Sequence, residues 1–248
     1  MEVSVTSAGV LALLGLGLIF GLKHATEVDH VVAVSTIVSQ SGNVLRSATV
    51  GALWGVGHTA ALLIAGMIVL SLRVTIPERV SNWLEFGVAL MILGLGASAL
   101  WRALRKRVEV HLHQHSHDDV SHVHLHFHEA PTRHGQSLTS THSHSVSAIG
   151  IKPVMIGTMH GFAGSGPLTL LVLTQIKSPW MGLLYLSIFG IGAIVGMLLM
   201  SGVIGLPFAL TSRNLAGLHR RLQTAAALVS ITFGLWYAHQ TAVASGLF

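Results

Sequence analysis

The chain alternates long apolar runs with short polar connections. Six of the runs approach or exceed the roughly 20 residues that a helix needs to cross the hydrocarbon core of a bilayer: 8–38, 47–72, 83–104, 148–176, 180–210 and 222–244. The pattern predicts an all-α fold, a polytopic integral membrane protein with about six transmembrane helices. One long connection, 105–147, separates two three-helix halves, 1–104 and 148–248.

The two halves carry a weak internal repeat. A shift of 136 positions aligns His160 with His24 and Gly202 with Gly66. An odd number of spans per repeat places the two halves in opposite orientations, an arrangement common in transporters that bind substrate near the middle of the membrane. We therefore expect a 3+3 inverted repeat.

Composition supports the membrane assignment and limits the chemistry of a binding site. Hydrophobic residues make up 51% of the 248 residues, and the mean hydropathy is +0.68. The absence of cysteine excludes disulfides and thiolate metal sites. Residues 1–7 carry no basic segment and no clear cleavage signal follows, so we expect the first run to be retained as a helix. The basic pI of about 10.2 is assigned to membrane topology, and no nucleic-acid partner is expected.

Lys and Arg are distributed unequally between the two sides of the predicted bundle. The first, third and fifth connections carry ten of them, and the opposite side carries three, Arg73, Arg79 and Lys177. Cytoplasmic loops of membrane proteins carry an excess of Lys and Arg. We expect a multi-pass protein of the inner (plasma) membrane, with the loop 105–147 in the cytoplasm and both termini outside.

A cluster of ionisable side chains interrupts the first apolar run. Residues 23–30 read Lys-His-Ala-Thr-Glu-Val-Asp-His, although only 9% of the chain is charged. A charged group in hydrocarbon costs roughly 2.5–3.5 kcal/mol on insertion scales and persists mainly where it has a function. The cluster therefore predicts a site for a divalent metal ion, with the candidate ligands His24, Glu27, Asp29 and His30.

Helical periodicity limits how these four side chains can act together. Glu27 neighbours both His24 and His30 on an ideal helix, whereas Asp29 projects toward a different side. Either the helix unwinds near residues 25 and 26, or Asp29 orients an imidazole without binding the ion. A simpler alternative ends the helix before the cluster and leaves it in interfacial water, but the apolar segment that follows argues against it.

Two further histidines lie beside glycines in later runs. His58 follows Gly55 and Gly57, small residues that permit close helix approach and could bring it against the first cluster. His160 lies in a Gly-rich stretch, 159–167, that could expose backbone carbonyls to a cavity. We include both histidines in the candidate metal site, although a lone histidine in a membrane helix more often serves packing.

The ligand types favour particular ions. Histidine and carboxylate ligands without cysteine fit Ni²⁺ or Co²⁺, leave Zn²⁺ and Fe²⁺ open, and disfavour Mg²⁺ and Ca²⁺, which prefer oxygen. The chain therefore takes Ni²⁺ or Co²⁺ as a transported substrate in this interpretation, with no organic cofactor.

The loop 105–147 holds 11 of the chain's 17 histidines. Many of them alternate with other residues, as in His111 to His117 and His122 to His128. In an extended strand alternate residues share one face, so each run can present a row of imidazoles to an ion. We expect a disordered or extended loop that chelates or senses metal outside the transport site.

Two motifs resemble a known family. Residues 24–30 fit the His-x4-Asp-His signature of the nickel/cobalt transporter (NiCoT) superfamily, and residues 55–59 resemble the histidine-bearing motif of its next helix. The resemblance implies a Ni²⁺ or Co²⁺ permease whose binding and selectivity positions are His24, Asp29, His30 and His58. Glu27 stands where uptake permeases often have Asp, and many of those have eight spans. A six-span efflux branch shares the His-rich loop but lacks an Asp at position 29.

We therefore expect a secondary permease that takes up Ni²⁺ or Co²⁺ and serves urease or hydrogenase metallochaperones. No Gly-x4-Gly-Lys-Ser/Thr motif occurs, so energy comes from the membrane potential, protons or a partner. At about −100 mV a divalent cation gains roughly 4.6 kcal/mol on entry. The alternatives are an exporter of the same ions and a non-transporting metal sensor or accessory protein. An enzyme such as a membrane di-iron desaturase is disfavoured, because its histidines would be spaced i,i+3 or i,i+4.

Overall fold

The fold is taken from a computed structural model, which describes residues 7–105, 109–117, 120–128, 151–175 and 178–246. Within these ranges the helices are α1 (Ser7–His24), α2 (Val28–Val38), α3 (Val44–Leu72), α4 (Glu78–Arg105), α5 (Ile151–Gln175), α6 (Pro179–Asn214) and α7 (Ala216–Ala244). The strands are β1 (Glu109–His117) and β2 (Val120–His128). Each predicted apolar run coincides with a helix or, for the first run, with the pair α1 and α2.

The helices are those of a multi-pass membrane protein. Three of them, α3, α4 and α6, are each long and apolar enough to cross a membrane. A fourth span results if the bent pair Leu11–His24 and Val28–Val38, which meets at 53°, is counted as one. Helices α5 and α7 have 25 and 29 residues, about 38 and 44 Å, but neither is among the membrane-spanning helices that the described residues establish. The number of six spans therefore stays a prediction.

The break between α1 and α2 has a local cause in the sequence. The backbone N–H groups of Thr26 and Glu27 donate to the carbonyls of Lys23 and His24, at 2.9 and 3.0 Å, which tightens the last turn of α1. The Thr26 hydroxyl also donates to the Lys23 carbonyl, at 2.6 Å. Glu27 is extended and forms the N-cap of α2. The helix therefore unwinds where one of the two sequence alternatives placed the break.

Helix contacts connect the two halves of the chain. Helix α3 packs against α5 and α6, α4 packs against α7, and α1 packs against α6. Glycines allow the α3–α5 contact, because a Cβ atom on Gly57 would overlap the backbone carbonyl of Val154, and one on Gly161 would overlap that of His58. This contact brings the rings of His58 and His160 to a centroid distance of 6.2 Å.

The two ends of the bundle are marked by hydrogen bonds between helices. At one end, here called the Asn82 end, Asn82 of α4 donates to the carbonyl of Ala244 at the end of α7, at 3.0 Å. At the other end, the Gln223 end, Gln223 of α7 donates to the carbonyl of Ser39 after α2, at 2.9 Å. Helix α1 therefore begins at the Asn82 end, and α2 finishes at the Gln223 end.

The strands form an antiparallel hairpin in the connection between α4 and α5. The register pairs His111 with His126, His113 with His124 and His115 with His122. The all-α prediction describes the helical bundle, and the described part of this connection has the extended backbone expected of the His-rich loop. Residues 106–108, 118–119 and 129–150 of that connection lie outside the described residues.

Candidate metal site

Four helices bring ionisable side chains together near the middle of the bundle. His24 is the last residue of α1, Asp29 and His30 lie in the first turn of α2, His58 lies in α3, and His160 lies in α5. The three histidines of α2, α3 and α5 are each at most 2% exposed. Five of the six residues in the sequence prediction thus lie at one place, and the sixth, Glu27, contacts one of them from its edge.

Three imidazoles form a first group, the three-histidine group (His24, His30 and His58). The Nε2 atoms of His24 and His58 are 3.2 Å apart, and donor atoms of all three residues lie within 4.8 Å of one another. Two nitrogens that bind one ion tetrahedrally at 2.0–2.1 Å are separated by about 3.3 Å. His24 and His58 therefore already have the spacing of two ligands of the same ion.

Asp29 connects α2 to α5 and defines a second group, the Asp29 group (Asp29, His30 and His160). Its Oδ1 accepts a hydrogen bond from the His30 backbone N–H, at 2.9 Å, and lies 3.0 Å from His30 Nδ1. Its Oδ2 lies 2.6 Å from His160 Nε2. Donor atoms of these three residues also lie within 4.8 Å of one another. A carboxylate at Nδ1 favours the tautomer in which Nε2 is free to bind an ion.

Glu27 has the same relation to His24. Its Oε2 lies 3.0 Å from His24 Nδ1, and its side chain is 54% exposed. This contact leaves His24 Nε2 facing His58. The structure thus combines both alternatives drawn from the sequence. The helix unwinds after His24, and Glu27 and Asp29 each contact the Nδ1 atom of an imidazole.

Buried nitrogen atoms in the site lack hydrogen-bond partners. His30 Nε2, His58 Nδ1 and His160 Nδ1 are each buried without a partner in the described part of the chain. Buried polar atoms are nearly always satisfied in folded proteins. A bound cation would satisfy a free imidazole nitrogen, which is the chemistry that the sequence predicts here.

A cavity of about 430 Å³ gives access to both groups. Its polar lining consists of Lys23, His24, Glu27, Asp29, His30, Glu85, His160 and Tyr237. Glu85 lies seven residues after the start of α4 and Tyr237 seven residues before the end of α7, each about 10 Å from the Asn82 end. The cavity therefore lies between the metal site and that end of the bundle.

The region toward the Gln223 end is closed by packed side chains, most of them apolar. Buried side chains of α2, α3, α4 and α6 pack there, among them Val34, Val38, Ile92 and Phe208. A smaller cavity of about 170 Å³, lined in part by Ser39 and Gln223, lies beyond them. Access to the site in this structure is therefore from the Asn82 end.

Sequence reasoning missed Glu85 and Tyr237. The Tyr237 hydroxyl lies 3.5 Å from Oε2 of Glu85, across the cavity from the histidines. Glu85 lies only three residues inside the predicted run 83–104 and therefore reads as an interfacial charge. The available signal was the scarcity of carboxylates in the chain, which has only 9 Asp and Glu residues.

A helical membrane bundle that buries a cluster of imidazoles and carboxylates beneath a one-sided cavity defines a membrane protein that handles divalent metal ions. Residues 10–239 match the family NicO, High-affinity nickel-transport protein. The chain belongs to this family, and the resemblance drawn from the two sequence motifs is confirmed.

Individual relatives agree with this assignment. The urease accessory protein UreH of Bacillus sp. (strain TB-90) is 38% identical over 246 residues, which cover 96% of each chain. The high-affinity nickel transport protein of Cupriavidus necator is 33% identical over 92 residues, 36% of this chain and 24% of its own length. The hydrogenase nickel incorporation protein HupN of Bradyrhizobium diazoefficiens is 31% identical over 116 residues, 40% and 30% of the respective chains. No solved structure matches this chain.

Proposed function

We propose that this protein is a secondary permease that takes up Ni²⁺, and Co²⁺ as a second substrate, through the buried histidine cluster. The observation that carries the proposal is the 3.2 Å spacing of the His24 and His58 Nε2 atoms beside His30. Membership of the nickel-transport family supports nickel as the substrate. Cobalt follows from ligand chemistry, because imidazole ligation suits both ions.

The six predicted site residues divide into ligands and orienting groups in this proposal. His24, His30 and His58 bind the ion through ring nitrogens. Glu27 orients His24, and Asp29 orients His30, through the contacts of 3.0 Å that each makes with Nδ1. His160 contacts Asp29 through Nε2, at 2.6 Å. A shell dominated by nitrogen discriminates against Mg²⁺ and Ca²⁺.

The predicted topology and the position of the cavity together favour one direction of transport. The Lys and Arg distribution predicts that the Asn82 end faces the outside and the Gln223 end the cytoplasm. The cavity lies toward the Asn82 end, and three carboxylates, Glu27, Asp29 and Glu85, line it against one Lys23. A dication from outside would enter this cavity, whereas an exporter would load from the Gln223 end. This arrangement favours uptake.

The helix contacts support six spans with an inverted 3+3 repeat. Under such a repeat α1 with α2, α3 and α4 correspond to α5, α6 and α7. The contact of α1 with α6 then corresponds to that of α5 with α3, and the α3–α6 and α4–α7 contacts pair corresponding helices. His24 at the break and His160 beside Gly161 occupy the equivalent positions found from the sequence shift.

The names of two relatives indicate the kind of cytoplasmic partner. One relative is named a urease accessory protein, and another a hydrogenase nickel incorporation protein. We infer that nickel delivered by this permease supplies metallochaperones of such enzymes, and that the His-rich loop buffers or senses metal on the cytoplasmic side. The protein itself performs no catalysis in this account.

Uptake of labelled Ni²⁺ by cells that produce the protein tests the proposal. We expect accumulation above control cells, competition by Co²⁺, and weaker competition by Zn²⁺ and Mn²⁺. Nickel resistance with lowered accumulation would indicate the exporter, and metal-dependent growth without flux would indicate the sensor.

A further inference from the structure

We propose that the cluster contains two overlapping coordination sites that share His30, and that a single ion passes from one to the other during transport. This inference rests on the proposed transport of a divalent cation. It assigns His160 and Asp29 a direct role as ligands of the second site, in addition to the contacts they make in this structure.

The His30 ring lies between the two groups. Its centroid lies 4.6 Å from that of His24 on one side of the cluster and 4.1 Å from that of His160 in the other group. Its Nδ1 faces Asp29, at 3.0 Å, whereas its Nε2 is buried without a partner. His30 therefore has one nitrogen available for each group.

The outer ligands of the two sets, His58 and His160, belong to different groups of donor atoms. Two donors can share an ion only if they lie within about 4.2 Å, twice a bond of 2.1 Å. The described residues form two sets whose donor atoms lie within 4.8 Å of one another, one with His58 and one with His160, and neither set contains both of these histidines. One ion therefore does not take all five side chains as ligands at once.

The two sets offer the ion different ligand atoms. The Asp29 group offers one carboxylate and two imidazoles, and the three-histidine group offers three imidazoles. Carboxylate oxygen suits an ion that still carries water, whereas a full set of nitrogens favours Ni²⁺ and Co²⁺ over harder ions. Because both sets include the His30 ring, two dications would lie only one imidazole apart, and their repulsion in a buried site limits the protein to one ion at a time.

The two sets also connect different parts of the bundle. His58 belongs to α3 in the first half, whereas His160 belongs to α5 in the second half. Transfer of the ion through His30 therefore moves its outer ligand from one half to the other. In a protein built from two opposed halves, such a change can accompany a switch in access.

Co²⁺ binding to the purified full-length protein in detergent tests the inference, with His58→Ala removing only the first set and His160→Ala only the second. We expect one Co²⁺ per wild-type chain and one in each single variant, with affinity lowered about 10-fold to 100-fold. X-ray absorption, which counts imidazole rings through their outer-shell scattering, should give three imidazoles for His160→Ala and two for His58→Ala. The double variant should bind none.

Uptake measurements distinguish two overlapping sites from a single site. Each single variant should bind Co²⁺ and yet take it up at least about tenfold more slowly than wild type. His239→Ala, which removes an exposed histidine of α7 outside the cavity, is the matched control and should behave as wild type. His160→Gln, which keeps polar bulk at the site, replaces the alanine variant if that variant elutes as aggregate.

Two results would overturn the shared-site arrangement: two Co²⁺ ions per wild-type chain, or wild-type uptake by His160→Ala or His160→Gln. Failure of the wild-type protein to transport any ion would instead contradict the proposed function, so the two failures are distinguishable.

Discussion

At the scale of single residues, the carboxylates next to the histidines are as informative as the histidines. Glu27 and Asp29 each lie 3.0 Å from the Nδ1 atom of an imidazole. Such contacts fix the tautomer and the ring orientation, and their loss typically lowers metal affinity 10-fold to 100-fold. Glu27, which contacts His24 but belongs to neither metal group, should therefore have a large effect on transport without binding the ion.

Glu27→Ala should raise the KM for Ni²⁺ uptake about tenfold, because His24 loses the group that orients it. Initial rates over a range of Ni²⁺ concentrations measure this. Glu78→Ala, at the exposed start of α4, removes the same charge away from the cavity and should leave KM unchanged. Equal KM values for Glu27→Ala and wild type would show that His24 needs no orienting carboxylate.

Glu85→Gln should raise KM about fivefold with little change in the maximal rate. Glu85 lines the cavity without belonging to either metal group, so it acts by attracting the cation, an effect of roughly 1 kcal/mol for charges at short range in water. Glu78→Gln serves as the charge control on the same helix. A fall in maximal rate with unchanged KM would place Glu85 in the translocation step instead.

Some residues of the site are evident from the sequence, and others are not. His24, Asp29 and His30 are evident because charge is scarce in an apolar run, and His58 because it follows glycines. Glu85 and Tyr237 were missed because they are 152 positions apart and meet only through the packing of α4 against α7. Periodicity reveals the spacing within a helix, but not which helices face each other.

At the scale of elements, the broken helix and the glycine contacts determine the site. The incompatible directions of Glu27 and Asp29 on a straight helix made a break near residues 25 and 26 one of two alternatives, and the structure has the break there. The angle of 53° could not be predicted, because it depends on what α2 packs against. The α3–α5 contact has a similar origin, since Gly57 and Gly161 were visible as small residues but their partners were not.

Gly161→Ala should separate α3 from α5 and abolish most uptake, because the new methyl group would overlap the backbone carbonyl of His58. Overpacking of this kind typically costs about 1–3 kcal/mol. Gly94→Ala on α4 is the matched control, since no atom lies within 4 Å of its Cβ position and alanine favours the helix.

Thermal unfolding in detergent and nickel uptake, measured together, check this pair. We expect a lower midpoint and little uptake for Gly161→Ala, and an equal or higher midpoint with normal uptake for Gly94→Ala. Normal uptake in Gly161→Ala would mean that the helix contact does not position His160.

At the scale of the whole molecule, the account depends on which end of the bundle faces outside. The proposal of uptake needs both observations together: the Lys and Arg distribution predicts which end faces outside, and the structure has the cavity toward that end. The His-rich hairpin leaves from the Gln223 end, where α4 finishes. Its expected role in the cytoplasm thus depends on the same orientation.

Because the chain has no cysteine, single cysteines can report this orientation. Val74→Cys, between α3 and α4, should react with a membrane-impermeant maleimide in intact cells. Ala216→Cys, at the start of α7, should react only after permeabilisation. The reverse pattern would place the cavity on the cytoplasmic side and favour export.

In the proposed function, Ni²⁺ enters through the buried histidine cluster. Proteoliposomes with an inside-negative potential of about −100 mV, which is worth roughly 4.6 kcal/mol for a dication, test it through the initial rate of labelled Ni²⁺ uptake. We predict equal, potential-dependent accumulation by the wild type and His239→Ala, and almost none by His58→Ala. Wild-type accumulation by a correctly folded His58→Ala variant would contradict the account.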